Sequence, residues 1–569
     1  MKKLVVIIFL FVLCITSLFA TDDPSASMRK MVFVPSNKTT YNQGLIITSK
    51  GNLKALAIFI QFQGDNTAST DWPANHPPTF LNAFIDSSLS VSSEPWSFSD
   101  YYRKMSNDSL RIYGRGYFAV TSHTEKYYRE SIGLSRPNDG FGFATQEVLR
   151  ALNSQINYAD YDNWTFRSGS HTNIPDGRVD LIIVLYRNSI YPSGVSAQGI
   201  AQLGGEGKIP STDTLDGKRI YYGFGGGSGI TNSGGSQGMQ AVLGSMKHEF
   251  GHRLFGSDHP RYKNFGSKGA IQYLGMWGIM PIPGYCANAY EREKLGWITP
   301  TIVTANNLSN INITDYVTTG MAIKIPIPGT ADNYYVENHQ QSSIYDSKLD
   351  QINGQGLMIY KTTPYSGDHP IYDVEAAEGK FNWSNYWVSI PGYLNGDSIP
   401  AFTKLLPNRN GYDIRDWVPH NKPGYLNGRF PVFVMDDDGL GGQPYYPFNG
   451  WGGDGHTAFN VGYNHIFAPW TNPGSGNNKN IAVVFKPGNL VDVYIKDITI
   501  TENTTIPAET FEFSSNLIVP AGVTLTIQPG ATLKFAPNMS LIVNGILIAN
   551  DTSSLPVIFK STRGTTPGK

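Results

Sequence analysis

Cysteine is nearly absent from this chain of 569 residues, which contains only Cys14 and Cys286. Cys14 lies in an N-terminal stretch that we expect to be removed, so the remaining chain has one cysteine and cannot form an internal disulfide. The folded state must therefore be stabilised by packing or by bound metal ions. We expect Cys286 itself to be a small buried apolar side chain.

The sequence also lacks an excess of charge, because 44 Lys and Arg stand against 45 Asp and Glu. The basic residues form no stripe, which argues against a nucleic-acid partner. Gly and Pro are abundant, with 60 and 35 copies, and 12% of the residues are aromatic. This composition is typical of turn-rich β structure. At roughly 150 residues per domain, the length predicts three or four domains.

Long apolar runs are missing after the N-terminus. Residues 1–20 open with Lys2 and Lys3, continue with an apolar run over 4–13 and end in small residues. This is the pattern of a cleaved signal peptide, and the run is short for a membrane span. We therefore predict a secreted, extracellular protein without a transmembrane span after signal removal. Residues 21–53 are predicted to be an N-terminal segment, with a pro-segment as one interpretation.

Strand and helix patterns alternate over residues 54–300. The apolar runs at 53–62 (LKALAIFIQF) and 179–186 (VDLIIVLY) have the length of buried strands, and helices are predicted from residue 100, over 143–156 and over 239–255. These elements predict an α/β domain. Residues 204–237 are rich in Gly and Ser and are predicted to form a long loop.

The second half of the chain changes to short strands and turns. We predict an all-β domain over residues 301–497. Over 498–569, short apolar strands are separated by turns such as PAG at 520–522 and PG at 529–530. This rhythm predicts the start of a parallel β-helix, with a small β-sandwich as the alternative. Because a solenoid needs several coils and a polar cap, we expect this one to be cut short at residue 569.

The clearest chemical motif is HEFGH at 248–252, an H-E-x-x-H pattern on the predicted helix. Residues four apart lie on the same helix face, so His248 and His252 can bind one zinc ion. Glu249 lies beside them and is predicted to be the general base that takes a proton from a zinc-bound water. A chance match is rare at this composition, so the motif predicts a zinc-dependent hydrolase.

The third metal ligand has two candidates. In the extended pattern H-E-x-x-H-x-x-G-x-x-H, a glycine turns the chain and returns a later side chain to the metal. Here the glycine is Gly256, one position late, and it is predicted to cap the helix in the left-handed conformation. Counting from His252 selects Asp258, whereas counting from Gly256 selects His259. We favour His259, with Asp258 as the alternative ligand or as its orienting partner.

A second segment supports the same site. GMWGIMP at 275–281 follows the motif at a distance suited to a methionine turn beneath the metal. Met280 is the candidate, Met276 is the alternative, and an ordinary core methionine is the competing interpretation. Tyr285 is a candidate for stabilising an oxyanion, from its neighbourhood alone.

Together these features resemble the immune inhibitor A-like family of secreted zinc peptidases. The resemblance spans about 54–480 and rests on five ordered segments besides the H-E-x-x-H motif. They are DYYRKMSNDSLRI (100–112), DGRVDLIIVLY (176–186), WGIMP with AYEREKLGWI (289–298), NYYVENHQQSSIYDSKLDQINGQGLMIYK (333–361) and FAPWTNPGSGN (467–477). The chain departs from the family pattern at the displaced glycine and at His339, which replaces the usual arginine.

The resemblance implies a metzincin-like zinc peptidase domain over 54–300. It assigns ligand roles to His248 and His252, the base to Glu249 and the methionine turn to Met280. The family also implies structural calcium. Turn carboxylates at Asp176, at Asp180 and at residues 436–438 are of the type that binds calcium, although solvated turns are the expected interpretation.

The leading prediction is therefore a secreted zinc-dependent metalloendopeptidase that acts on protein or peptide substrates. The alternative is a catalytically inactive surface adhesion or carbohydrate-binding protein, whose C-terminal β domains contact a cell surface or carbohydrate. The displaced glycine and the β-helix motivate this alternative. The zinc content of the protein discriminates between the two.

Overall fold

The computed structural model describes residues 44–130, 140–167, 170–189, 199–201, 203, 214–220, 229–256, 261–262, 270–272, 278–280, 286–346, 355–364, 370–375, 377, 381–389, 398–405, 430–431, 433–435, 444–445, 451–452, 458–462, 464–470, 481–549 and 554–563. The predicted signal peptide lies outside these residues. None of the described helices has the length and apolar composition needed to cross a membrane.

The protein is multidomain, with mixed α/β content followed by a region of many strands. Two compact units are present, and the chain passes from the first to the second between Thr299 and Pro300. The described strands Phe433–Met435 and Pro444–Tyr445 also belong to the first unit. The helices are α1 (Phe98–Met105), α2 (Glu125–Glu130), α3 (Gly140–Ala151), α4 (Met239–Phe255), α5 (Ala289–Lys294) and α6 (Tyr316–Thr319).

The strands that precede Pro300 are β1 (Gly51–Gln61), β2 (Leu110–Val120), β3 (Thr165–Arg167), β4 (Ser170–Thr172), β5 (Ile182–Tyr186), β6 (Gly199–Ile200), β7 (Thr214–Leu215), β8 (Lys218–Arg219), β9 (Gly229–Asn232), β10 (Arg261–Tyr262) and β11 (Ala270–Gln272). A central sheet has the order β2-β1-β5-β9-β6. Its neighbours are parallel except β6, which runs antiparallel to β9 at the end of the order. The predicted α/β architecture and both buried strands are confirmed.

The two faces of this sheet bury different side chains. On one face, Leu56 and Val184 pack against Val148 and Leu149 of α3. On the other, Phe59 begins a chain of aromatic contacts that reaches α4. The ring centroids lie 6.0 Å apart for Phe59 and Phe84, 5.8 Å for Phe84 and Phe98, and 5.5 Å for Phe98 and Phe250 of α4. This second face therefore fixes α4 against the sheet.

The long loop predicted over 204–237 is wrong in part, because β7, β8 and β9 lie within it. β9 becomes a central strand through parallel pairing with β5, from Ile182 opposite Gly229 to Leu185 opposite Asn232. The sequence GITN carries almost no apolar signal, so tertiary pairing rather than local pattern creates this strand.

The strands that follow Pro300, up to the start of the C-terminal segment, are β12 (Thr301–Ile302), β13 (Leu308–Asn312), β14 (Ala322–Pro326), β15 (Asn333–His339), β16 (Gly356–Thr363), β17 (Ile371–Glu375), β18 (Phe381–Ser389), β19 (Ser398–Leu405), β20 (Phe430–Pro431), β21 (Phe433–Met435), β22 (Pro444–Tyr445), β23 (Trp451–Gly452), β24 (Ile466–Phe467), β25 (Ala482–Lys486) and β26 (Leu490–Tyr494). In the second unit, β12 and β14–β17 form one layer and β13-β26-β25-β24 another. Both layers contribute to one core, which includes Ile323, Val336, Ile359, Val483 and Val491.

The C-terminal strands are β27 (Ile498–Thr499), β28 (Thr504–Ile506), β29 (Thr510–Phe513), β30 (Leu517–Val519), β31 (Thr524–Ile527), β32 (Thr532–Phe535), β33 (Leu541–Val543), β34 (Ile546–Ile548) and β35 (Ile558–Ser561). They stack in parallel as β27-β30-β33, β28-β31-β34 and β29-β32-β35. Each successive coil thus adds one strand to each of three sheets, which is the pattern of a parallel β-helix. Leu517, Leu525 and Leu533 are fully buried inside the middle coil.

Candidate metal centre

The H-E-x-x-H motif lies in the C-terminal half of α4, which is buried around it. The exposed fractions are 4% for His248, 8% for Glu249 and 8% for His252. The two imidazole rings lie on the same side of the helix, with centroids 4.7 Å apart and planes at 85°. The helix predicted over 239–255 and the convergence of the two histidines are thus confirmed, and the ring separation suits two ligands of one ion.

The tautomer of His252 is set by the end of its own helix. Its Nδ1 lies 2.9 Å from the carbonyl oxygen of Gly256. A carbonyl can only accept a hydrogen bond, so Nδ1 must carry the proton. Nε2 then keeps its lone pair, which is the arrangement that a metal-binding histidine needs.

Gly256 ends the helix in a different way from the predicted left-handed cap. Its φ of 101° is positive, but its ψ of −169° is extended. This combination is essentially restricted to glycine. The N–H of Gly256 donates to the carbonyl of His252 at 3.0 Å, so the same residue contacts both the backbone and the ring of His252. This conformation accompanies the contact between the Gly256 carbonyl and His252 Nδ1, which gives a physical reason for glycine at position 256.

Glu249 lies against the antiparallel edge strand β6. A Cβ added to Gly199 would come within 2.3 Å of Oε1 and 2.5 Å of Cγ of Glu249. Glycine at this position therefore makes room for the carboxylate, and the backbone of β6 passes directly beside it. Nothing in the sequence pattern around Gly199 indicated this contact.

Met280 packs against α4 at Gly251, inside the H-E-x-x-H motif, and its role in a methionine turn stays a prediction. A Cβ on Gly251 would come within 2.5 Å of Met280 Sδ and 2.7 Å of Cγ2 of Ile279. The turn is held by Glu291 of α5, whose carboxylate accepts the N–H groups of Ile279 at 2.7 Å and Met280 at 3.2 Å. Gly251, between the two histidines in sequence, allows the helix to pack closely on this turn.

Two residues that the sequence analysis did not single out hold α4 in place. The hydroxyl of Tyr102 in α1 donates to the carbonyl of Lys247 at 2.7 Å, and its ring lies 4.7 Å from that of Phe250. The Arg253 guanidinium is buried and donates to the carbonyl of Gly229 in β9. Burial lowers the pKa of Arg253 to about 10, against the opposing effect of the Glu249 carboxylate. The DYY segment was a signal for Tyr102, whereas Arg253 had none.

Several predicted site residues lie outside the described residues. These are both candidates for the third ligand, His259 and Asp258, together with Tyr285 and Met276. Cys286 is described, and it is fully buried as expected.

In the acidic turn that suggested a calcium site, the carboxylates of Asp162 and Asp180 accept hydrogen bonds from backbone N–H groups. The Asp162 carboxylate accepts the N–H groups of Asp176 and Gly177 and binds Lys218 Nζ at 2.7 Å. Asp180 accepts the N–H groups of Asn163 and Trp164. Burial raises the pKa of Asp180 to about 8 in spite of these bonds. These contacts give Asp162 and Asp180 a role in fixing the turn. Residues 436–438 lie outside the described part of the chain.

The donor set at α4 fits zinc. Two imidazoles on one helix face, one with its tautomer fixed for coordination, are ligands that zinc prefers, and an adjacent carboxylate is available for proton transfer. Comparison with known proteins adds no family assignment: no family model matches the chain, and no curated protein matches it.

Proposed function

We propose that this chain is a secreted zinc-dependent endopeptidase with a metzincin-like catalytic domain. The observation that carries the proposal is the buried motif on α4, where His248 and His252 face the same way and Glu249 lies beside the edge strand. The secretory pattern of residues 1–20 supports the extracellular location.

The residues of α4 have separate roles in this proposal. His248 and His252 would hold the metal, with His259 or Asp258 as the third ligand. A zinc ion held there would supply Lewis acidity, which would lower the pKa of a water molecule and polarise the carbonyl of the scissile peptide bond. The Glu249 carboxylate accepts the proton and passes it to the departing amine. The carbonyl of Gly256 keeps the proton of His252 on Nδ1 throughout.

The position of β6 supports a peptide substrate. β6 is at the end of the described sheet, and Gly199 in it lies against Glu249. A peptide in extended conformation can add to such an edge by main-chain hydrogen bonds. A substrate bound in this way would pass the catalytic carboxylate, whatever its side chains.

The fold features that support a metzincin-like domain are the antiparallel edge strand, the helix that carries the motif and the methionine turn under it. Met280 would form the floor of the metal site through its contact at Gly251. Structural calcium and contacts of the C-terminal β domains with a cell surface remain predictions.

Casein cleavage by the zinc-loaded protein tests the proposal. Wild type should cleave casein, and Glu249→Gln should cleave it about 10²–10⁴-fold more slowly, as expected for loss of a general base. The variant Glu293→Gln makes the same change on α5 and should retain activity. Equal activity of wild type and Glu249→Gln would refute the proposed mechanism, and a wild type without zinc or activity would favour the adhesion alternative.

A further inference from the structure

A short segment ahead of β1 runs along the C-terminal end of α4. The N–H of Leu45 donates to the carbonyl of Leu254 at 2.9 Å. The N–H groups of Ile46 and Ile47 both donate to the carbonyl of Arg253, at 3.0 Å and 3.3 Å. We call residues 44–49 the N-terminal strap. It contacts the helix turn that immediately follows His252.

These hydrogen bonds meet a requirement of the helix end. The last four carbonyls of an α-helix have no partner within the helix. At α4, Gly256 satisfies the carbonyl of His252, and the strap satisfies those of Arg253 and Leu254. The turn that carries His252 is therefore held by Gly256 on one side and by the strap on the other.

The strap is buried within the first compact unit, which carries α4, rather than lying on its surface. Ile47, Thr48 and Ser49 are all at most 3% exposed. The Ser49 hydroxyl donates to the carbonyl of Leu295 at 2.9 Å, and Trp297 Nε1 donates to the carbonyl of Ser49 at 2.6 Å. At the other end, His171 Nε2 contacts the carbonyl of Gly44. The strap thus links the start of β1, the end of α4 and the segment after α5.

We propose that the N-terminal strap is a positioning segment for the metal-binding turn and is retained in the active enzyme. Any proteolytic maturation then cuts before Gly44. This inference deepens the proposed function and rests on it. It also divides the predicted 21–53 segment, since the described residues from Gly44 onward belong to the catalytic unit.

The N-terminus of the secreted protein tests where the chain is cut. The zinc-containing fraction is purified, and its first residue is determined by intact-mass and N-terminal peptide analysis. The inference predicts a first residue at or before Gly44. A zinc-containing chain that starts at Leu45 or later would overturn it.

The zinc affinity of two strap variants tests the positioning role in the full-length chain. Ile46→Pro removes the N–H that donates to Arg253, so zinc affinity, measured by competition with a chromogenic chelator, should fall about tenfold, as for other groups that orient metal ligands. Ile47→Ala shortens a buried side chain but keeps the N–H bonds. It should lower the melting temperature of the metal-free protein without changing zinc affinity.

The outcomes separate this inference from the proposed function. If wild type binds zinc and Ile46→Pro binds it equally well, the strap is only structural and the inference fails alone. If both variants lose affinity in proportion to their loss of melting temperature, the positioning role is again refuted. If wild type binds no zinc, both the inference and the proposed function fail. Should Ile46→Pro not fold, the N-terminus of the secreted chain still decides the inference.

Discussion

At the residue scale, three glycines around α4 matter to the candidate site as much as the histidines do. Gly199 leaves room for Glu249, and Gly251 leaves room for Met280. Gly256 supplies a carbonyl to His252 from a backbone conformation that other residues rarely adopt. We therefore expect substitutions at these glycines to affect the site more than they affect the fold.

The substitution Gly199→Ala tests this at the carboxylate of Glu249, the proposed general base. The added methyl would meet Glu249 Oε1 at 2.3 Å, so the carboxylate must move. We expect kcat/KM for a peptide substrate to fall by about 10²-fold, as for a misplacement of about 1 Å, while zinc content stays unchanged. Gly244→Ala is the matched control, because a Cβ there meets nothing within 4 Å. Unchanged activity of Gly199→Ala would contradict the proposed position of the base.

The prediction of the third zinc ligand depends on whether residues are counted from Gly256 or from His252. If the glycine governs the turn, His259→Ala should lose zinc and Asp258→Ala should retain it. Elemental analysis of both variants after dialysis against a weak chelator measures this directly. The reverse result would mean that spacing from His252 decides the ligand.

Residues of the candidate site can be predicted from the sequence only where their chemistry requires a fixed spacing along the chain. His248, Glu249, His252 and Met280 carry sequence signals that depend on spacing along one helix or one turn. The roles of Arg253 and Gly199 depend on contacts across the fold, with the carbonyl of Gly229 in β9 and with the Glu249 carboxylate. The sequence next to these residues does not identify partners that lie far away along the chain.

At the element scale, the turn at Ile279 and Met280 and the helix α5 act together. Asn288 caps α5, and Glu291 completes a capping box while it also accepts the N–H groups of Ile279 and Met280. One carboxylate therefore fixes the helix start and the turn under α4. Because Glu291 is fully buried, its loss leaves backbone donors without an acceptor.

The substitution Glu291→Gln tests this coupling of elements. An amide NH2 would face backbone N–H groups, so we expect a loss of about 1–3 kcal/mol in the free energy of unfolding. Urea denaturation of the metal-free protein measures this loss. Glu293→Gln, on the same helix but half-buried, should cost much less. Equal stability of the two variants would argue that Glu291 does not hold the turn.

Elements with strong apolar patterns were predictable. β1 and β5 read as continuous apolar runs because they are parallel strands covered on both faces. The C-terminal strands follow their short alternating segments, since each coil repeats the same inward positions. α3 ends at Ala151, earlier than the predicted 156, and β9 was missed because its pairing with β5 outweighs its weak local pattern.

At the scale of the whole molecule, the second unit contains a buried charged cluster. His339 lies 2.9 Å from Glu337 and 3.0 Å from Asp346, and all three are fully buried. Tyr360 donates its hydroxyl to Glu337 at 2.6 Å. Burial by itself disfavours the imidazolium, but the two carboxylates outweigh it and raise the pKa of His339 to about 10.

The pH dependence of stability follows from the sign of this shift. Since the pKa is raised on folding, the contribution of His339 is complete below its unfolded value of about 6.5 and is lost as pH rises to about 10. The limiting slope is about 1.4 kcal/mol per pH unit. Urea unfolding of wild type and His339→Leu between pH 7 and 10 should show this slope in wild type only. The same slope in both proteins would contradict the charged cluster. The control is His76→Leu, which replaces an exposed histidine and should keep the wild-type slope.

The zinc content of the purified full-length protein tests the central claim most directly. Elemental analysis should find one zinc ion per chain in wild type and almost none in the double variant His248→Ala, His252→Ala. That result would place the ion on α4, where the two imidazoles converge. A wild type without zinc, or a double variant that keeps it, would contradict the metal centre and the peptidase function built on it.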